Sequence, residues 1–124
     1  MENLLNLNVC NGANILAHLE YFEQIYRLTI SVSTSNKIPD EIYLLKKLTE
    51  LCIASYSTIS NPITLTLPNT INLCRNLCFV DVSVGIQLMI SNDQKRFLDN
   101  RSVYYGNMKP IIVSDLDLAK DLFF

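Results

Sequence analysis

The chain has 124 residues, 49% of them apolar and 18% charged, with a formal charge of -2; this excludes a disordered segment and bounds the chain to one small domain, 1–124. The ten Lys and Arg are scattered and do not alternate with aromatics, so nucleic acid is not an expected partner. No stretch approaches the roughly 18 uninterrupted apolar residues of a membrane span, and the start MENLLNLNVCNG lacks the basic and apolar regions of a secretory signal, so an intracellular, cytoplasmic setting without membrane contact is expected.

In chain order, Leu4-Leu5-Asn6-Leu7 opens on a strand pattern. ILAHLEYFEQIYRLTIS, residues 15 to 31, then places apolar residues three and four apart before changing to alternation at Leu28 and Ile30. That change of period predicts a short helical or 3-10 segment running into a short strand. SVSTSNK, residues 31 to 37, is a polar turn. IPDEIYLLKKLTELCIA, residues 38 to 54, repeats the change of period, with Ile38, Ile42 and Leu45 followed by Leu51 and Ile53. ASYSTISNPITLT, residues 54 to 66, is predicted as a longer turn bent at Asn61-Pro62. LPNTINLCRNLCFVDVS, residues 67 to 83, is the third helix-strand passage, ending in Val80 and Val82. Past Ser83 the pattern weakens. PIIVS, residues 110 to 114, is a candidate late strand, and DLDLAKDLFF, residues 115 to 124, a closing helix capped by Ser114 or Asp115.

These passages align with one another. Shifted by 29, Pro39 falls on Pro68, Ile42 on Ile71, Leu44 on Leu73, Lys46 on Arg75 and Leu48 on Leu77, while Leu51 and Ile53 meet Val80 and Val82. Shifted back by 23, Ile15, Leu19, Tyr21, Phe22, Ile25, Leu28 and Ile30 take the same apolar positions; a further 23 back, Leu5 and Leu7 fall on Leu28 and Ile30. Units of 1–14 (partial), 15–37, 38–66, 67–97 and 98–124 (a degenerate C-terminal cap) follow from this alignment. A unit that cannot cover its own apolar side must stack on its neighbours.

The aligned stretches resemble the leucine-rich repeat, whose pattern L-x-x-L-x-L is met by Leu48, Leu51 and Ile53, by Leu77, Val80 and Val82, and by Ile25, Leu28 and Ile30. Ile38-Pro39 and Leu67-Pro68 stand where the family has its Ile-Pro step. The resemblance implies an α/β leucine-rich-repeat solenoid, with short parallel strands on a concave side and helical or 3-10 segments on a convex one. The family's inward asparagine position holds Ser33, Tyr56 and Gly85, so the turns would be satisfied in another way.

By the same resemblance the chain would be a non-enzymatic protein-protein interaction module that binds a protein partner through the concave face. Alternation assigns that face to Asn6, Arg27, Thr29, Ser31, Glu50, Cys52, Ala54, Phe79, Asp81 and Ser83. Phe79 with Arg27 nearby is the expected hot spot, unless Phe79 packs along the sheet. The apolar start at Leu4 implies self-association through uncapped ends, or a place within a longer array.

Chemistry has little to work with. His18 is the only histidine and is expected at a solvent-facing position of the first helical segment, between Ile15 and Leu19; Gly12, Gly85 and Gly106 are too scattered for a phosphate loop. Asp115, Asp117 and Asp121 lack the glycine and final glutamate of a calcium loop. Cys10, Cys52, Cys74 and Cys78 are irregularly spaced and read as thiols, with no metal, cofactor or catalytic residue assigned. Two alternatives stand beside the main reading. One is a small α+β structural subunit of an assembly, pairing 28–30 and 51–53 antiparallel; the other is a regulatory domain using Cys74 or Cys78 as a reactive thiol.

Overall fold

Alternating apolar side chains can be buried only if the chain is extended and one face of it is covered. The structure, a computed structural model, describes residues 6–10, 24–32, 36–38, 40–55 and 62–113, and for 6–10 and 36–37 the backbone alone. The strands are β1 (Asn6–Cys10), β2 (Arg27–Val32), β3 (Asn36–Lys37), β4 (Glu50–Ser55), β5 (Ile63–Thr66), β6 (Phe79–Val82), β7 (Ile86–Ser91), β8 (Ser102–Tyr104) and β9 (Ile111–Val113). They form two separate sheets, one of order β1-β2-β4-β6-β8 and one of order β3-β5-β7-β9. Every pairing is parallel.

Parallel neighbours cannot be joined by a tight hairpin, so β2, β4 and β6 are each followed by a passage through the second sheet and back. The return passages carry two 3-10 turns, Asp40–Leu44 and Asn69–Leu73, and one α-helix, α1, Asn92–Asp99. In both 3-10 passages apolar residues three apart are buried, Ile42, Leu45 and Leu48 in one and Ile71, Cys74 and Leu77 in the other. Their backbones close in the same way. Leu45 N–H donates to Ile42 O and Leu48 N–H to Leu45 O, as Cys74 donates to Ile71 and Leu77 to Cys74.

The core is one continuous cluster. Leu28, Leu51 and Val80 stand side by side on β2, β4 and β6, with Ile30, Ile53 and Val82 in the next row. The second sheet contributes Ile63 and Leu65 against Ile86 and Leu88, all buried. Proximity of equivalent residues follows from any parallel sheet laid down by successive crossovers of similar length.

The expected leucine-rich-repeat solenoid is corrected. That fold calls for helical segments along the side opposite the strands, whereas here a second parallel sheet, β3-β5-β7-β9, occupies a layer of its own. A single α-helix occurs among the described residues. The described residues form a small α/β domain of two discrete parallel sheets and one α-helix, and its description as a repeat array or solenoid falls with the family. Strands 28–30 and 51–53 pair parallel, so a structural subunit of this kind is α/β and not α+β.

Particular expectations change too. Residues 63–66, read as part of a turn, form β5, and Ile86–Ser91 forms β7. PIIVS does contain a strand, β9, but it pairs with β7 in the second sheet instead of extending the row of Val80 and Val82. Leu7, not Leu5, stands opposite Leu28, so β1 sits two residues from the expected register and Asn6 faces Arg27. Gly85, at the family's asparagine position, turns the chain between β6 and β7 with φ 89°. Its N–H donates to Asn107 Oδ1 at 3.1 Å and its carbonyl accepts from Ile63 at 2.8 Å. The closing helix over 115–124 with Asp115, Asp117 and Asp121, residues 15–23 of the first helical passage with His18, and Pro39 lie outside the described residues.

Candidate functional site: the open sheet face, the turn rim and the sheet ends

Alternation that buries Leu28, Leu51 and Val80 turns their neighbours outward, and the outward rows of the first sheet are fixed by its register. Arg27, Glu50, Phe79 and Ser102 form one row; Thr29, Cys52, Asp81 and Tyr104 form the next. Ser31 pairs with Ala54. The eight nominated side chains Arg27, Thr29, Ser31, Glu50, Cys52, Phe79, Asp81 and Ser83 are all half-buried or exposed.

The pairing of Phe79 with Arg27 is not what the register gives. Glu50 stands between them, so they are two strands apart, about 10 Å at the usual strand spacing. Arg27 instead forms an ion pair with Glu50 at 3.4 Å and reaches the Cys52 sulfur at 3.9 Å. That sulfur contact, then the charges of Cys52 and Glu50, hold the guanidinium pKa above its ordinary value. An exposed pair of this kind is screened by water and contributes little. Ser83 also has a structural task, its hydroxyl accepting from the Ser55 N–H at 3.0 Å.

At the rim where the return passages enter the first sheet, carbonyls stack the levels together. Tyr26 O accepts from the N–H groups of Thr49 and Glu50, Thr49 O from those of Cys78 and Phe79, and Cys78 O from that of Ser102. The two 3-10 passages are also stapled side to side. The Thr70 hydroxyl donates to Asp40 O at 2.6 Å and the Asn76 amide to Lys46 O at 2.8 Å. Between them lies a groove of about 380 Å³ lined by Tyr43, Leu45, Lys46, Leu73, Cys74, Arg75 and Asn76.

Cys74 forms part of the groove floor, in the place that Leu45 takes one level earlier. Burial, opposed only by the charge of Arg101, pushes its thiol up to about 11. It is therefore neutral at physiological pH and a poor nucleophile. Cys78 is exposed and its thiol donates to Asn76 O at 3.2 Å. Among the described residues neither sulfur has an adjacent base, so the described geometry does not support the reactive-thiol alternative.

Two side chains that sequence reasoning did not single out hold the helical level in place. Gln94 is buried within α1; its side-chain oxygen accepts from Ser91 N–H while Ser91 Oγ accepts from Gln94 N–H, a reciprocal cap. Its amide nitrogen reaches across to the carbonyls of Leu67 and Pro68 at 3.3 and 3.0 Å. Ser91-x-x-Gln94 is a capping-box pattern and was legible. Arg101 donates to Leu77 O at 2.7 Å and Phe97 O at 2.8 Å, with its guanidinium 3.6 Å from the Phe97 ring centre. No local pattern announces that role.

The last strand of each sheet, β8 and β9, pairs on one side only among the described residues. There Tyr104 is 58% exposed, Ile111 40% and Ile112 38%. Among the described residues no three His, Cys, Asp or Glu come together as a metal site, and no helix is long and apolar enough to cross a membrane.

Comparison with protein families, with curated proteins and with solved structures returned no match for this chain. The concave-face interaction module implied by the leucine-rich repeat is corrected together with its fold: the architecture that would have defined such a face is not the one the chain adopts.

Proposed function

We propose that the chain is a non-enzymatic structural subunit, or interaction module, that joins protein partners through the open end of its two sheets. One observation carries this reading: among the described residues β8 and β9 each have one unpaired edge, and the side chains around those edges include Tyr104, Ile111 and Ile112. Ile112 pairs with the buried Ile90 in the register of β7, so it belongs to the core-facing series, yet it is 38% exposed and no further strand among the described residues covers it. An apolar, unpaired edge is a template for another chain. The partner is a protein, a second copy of this chain included; the reading involves no nucleic acid, membrane or cofactor and keeps the intracellular setting.

Sedimentation of the isolated chain against concentration tests the proposal. Wild type is expected to self-associate or to form a defined complex with an added partner, and Ile112→Lys to remain a monomer with an unchanged circular dichroism spectrum. A fully folded wild-type monomer at high concentration would overturn self-association. Unaltered partner binding by Ile112→Lys would overturn the use of this end.

A further inference from the structure

The groove between the two 3-10 passages has a chemistry unlike that of the sheet end. Two exposed apolar side chains flank it, Tyr43 at 40% and Leu73 at 54% exposure. Two cations, Lys46 and Arg75, stand at corresponding places of adjacent levels and line the same groove. Among the described residues neither has a side-chain hydrogen bond or ion pair. None of the seven lining residues is a carboxylate. Asp99, which lines an adjoining groove together with Arg75, is held by Lys95 at 2.9 Å.

The walls are fixed before anything binds. The Thr70-to-Asp40 and Asn76-to-Lys46 hydrogen bonds tie the two passages together at both ends, and Leu45 and the neutral Cys74 provide a buried floor. A preformed groove of about 380 Å³ falls within the usual range for recognition of a small group or a few side chains. Preorganisation reduces the entropy lost on binding.

We infer that this groove is a docking site for an acidic peptide segment of a partner protein, one that presents an Asp or Glu beside a Leu or Phe. The carboxylate meets Lys46 and Arg75, the latter with a planar fork suited to bidentate contact, and the apolar side chain lies between Tyr43 and Leu73. The charge pattern selects this occupant: two unpaired cations with no acid among the lining residues repel a basic segment and leave a neutral one without its polar contacts. This site is separate from the sheet end, so either can fail while the other stands.

Selection of a random dodecapeptide phage library on the immobilised full chain tests the inference. Enriched peptides are expected to pair an acid with an adjacent large apolar residue. A synthetic peptide of the enriched sequence, followed by fluorescence anisotropy, should bind about tenfold or more weakly to the Lys46→Gln, Arg75→Gln double variant. It should also weaken on Leu73→Ser and with added salt, and be unaffected by Ile112→Lys. All four positions are exposed, so an unchanged thermal midpoint confirms that each variant folds. No enrichment, enrichment of sequences without acids, or undiminished binding to the double variant would overturn it.

Discussion

The five-stranded sheet and the four-stranded sheet bury side chains of the same kind at the same alternation, but they are entered differently. Each strand from β4 onward in the first sheet is reached through a packed return, residues 38–49, 67–78 and 92–101. The outward connections to the second sheet, 33–35, 56–62, 83–85 and 105–110, vary in length. The pairing offset is 23 from Leu28 to Leu51, 29 from Leu51 to Val80 and 23 again from Val80 to Val103. By register the extra six residues fall between β4 and Leu65, four in the outward connection and two at the start of β5. A return whose Leu45 and Leu48, or Cys74 and Leu77, fill the core tolerates no insertion, whereas lengthening a surface corner costs only a little closure entropy. The two 3-10 returns, 38–49 and 67–78, are equal in length.

Replacing one central residue of each sheet is the strongest way to break this comparison. Leu51→Ala on β4 and Leu88→Ala on β7 each empty a site no more than 1% exposed, and each is expected to lower unfolding free energy by about 2–5 kcal/mol. Urea unfolding of the two variants checks it. If Leu88→Ala costs under about 1 kcal/mol, the second sheet is an accessory layer and not half of the core.

A smaller effect is expected at the corner after β8. Gly106 has φ 66°, and a Cβ there would lie 2.9 Å from Ser83 O and 3.0 Å from Val82 O. Backbone cannot yield as a side-chain end would. Gly106→Ala should therefore destabilise by about 1–3 kcal/mol, read as a fall in thermal midpoint. A neutral result would show that this corner can shift its backbone to admit a side chain.

The helical return can be compared with the 3-10 returns by removing its polar ties. Gln94→Ala leaves the Leu67 and Pro68 carbonyls without that donor and is expected to cost about 1–3 kcal/mol. Ser91→Ala removes only the cap, about 1 kcal/mol. Because the two side chains serve one reciprocal motif, the double variant should lose less than the sum of the single losses in equilibrium unfolding. Strict additivity would mean that the box does not act as a unit.

The smallest effect depends on pH. The folded-state thiol of Cys74 is raised from 9.0 to about 11, so above pH 9 the unfolded chain loses this proton first and the folded chain binds more protons. Stability then falls as pH rises through the window from 9 to 11, and is fully present below it. The loss is on the order of 1 kcal/mol once residual solvation is allowed for. The difference between wild type and Cys74→Val, followed across that window, isolates it from other titrating groups. A pH-independent difference would place the sulfur in contact with water.

The sequence by itself determined the inward series of the first sheet, Leu28 and Ile30, Leu51 and Ile53, Val80 and Val82, because alternation beside a Leu-x-x-Leu turn is a local pattern. It also carried the offsets of 23 and 29, since crossovers of comparable length stack equivalent residues. The outward residues from Arg27 to Ser83 followed from the same alternation, and the groove cations were visible in the alignment of Lys46 with Arg75. The second sheet was written less plainly: Ile63, Leu65, Ile86, Leu88 and Ile90 alternate too, but β5 lies within a stretch rich in turn-forming residues and β7 beyond the end of the clear pattern. Only the tertiary structure decided that these segments pair with each other as a separate sheet. Partner choice for a strand depends on backbone hydrogen bonds that any sequence can make. It likewise decided that Glu50 separates Arg27 from Phe79, that Gln94 holds the carbonyls of Leu67 and Pro68, and that among the described residues β8 and β9 each end with one edge unpaired. Each of these depends on which chain segment lies alongside, and no local spacing encodes that.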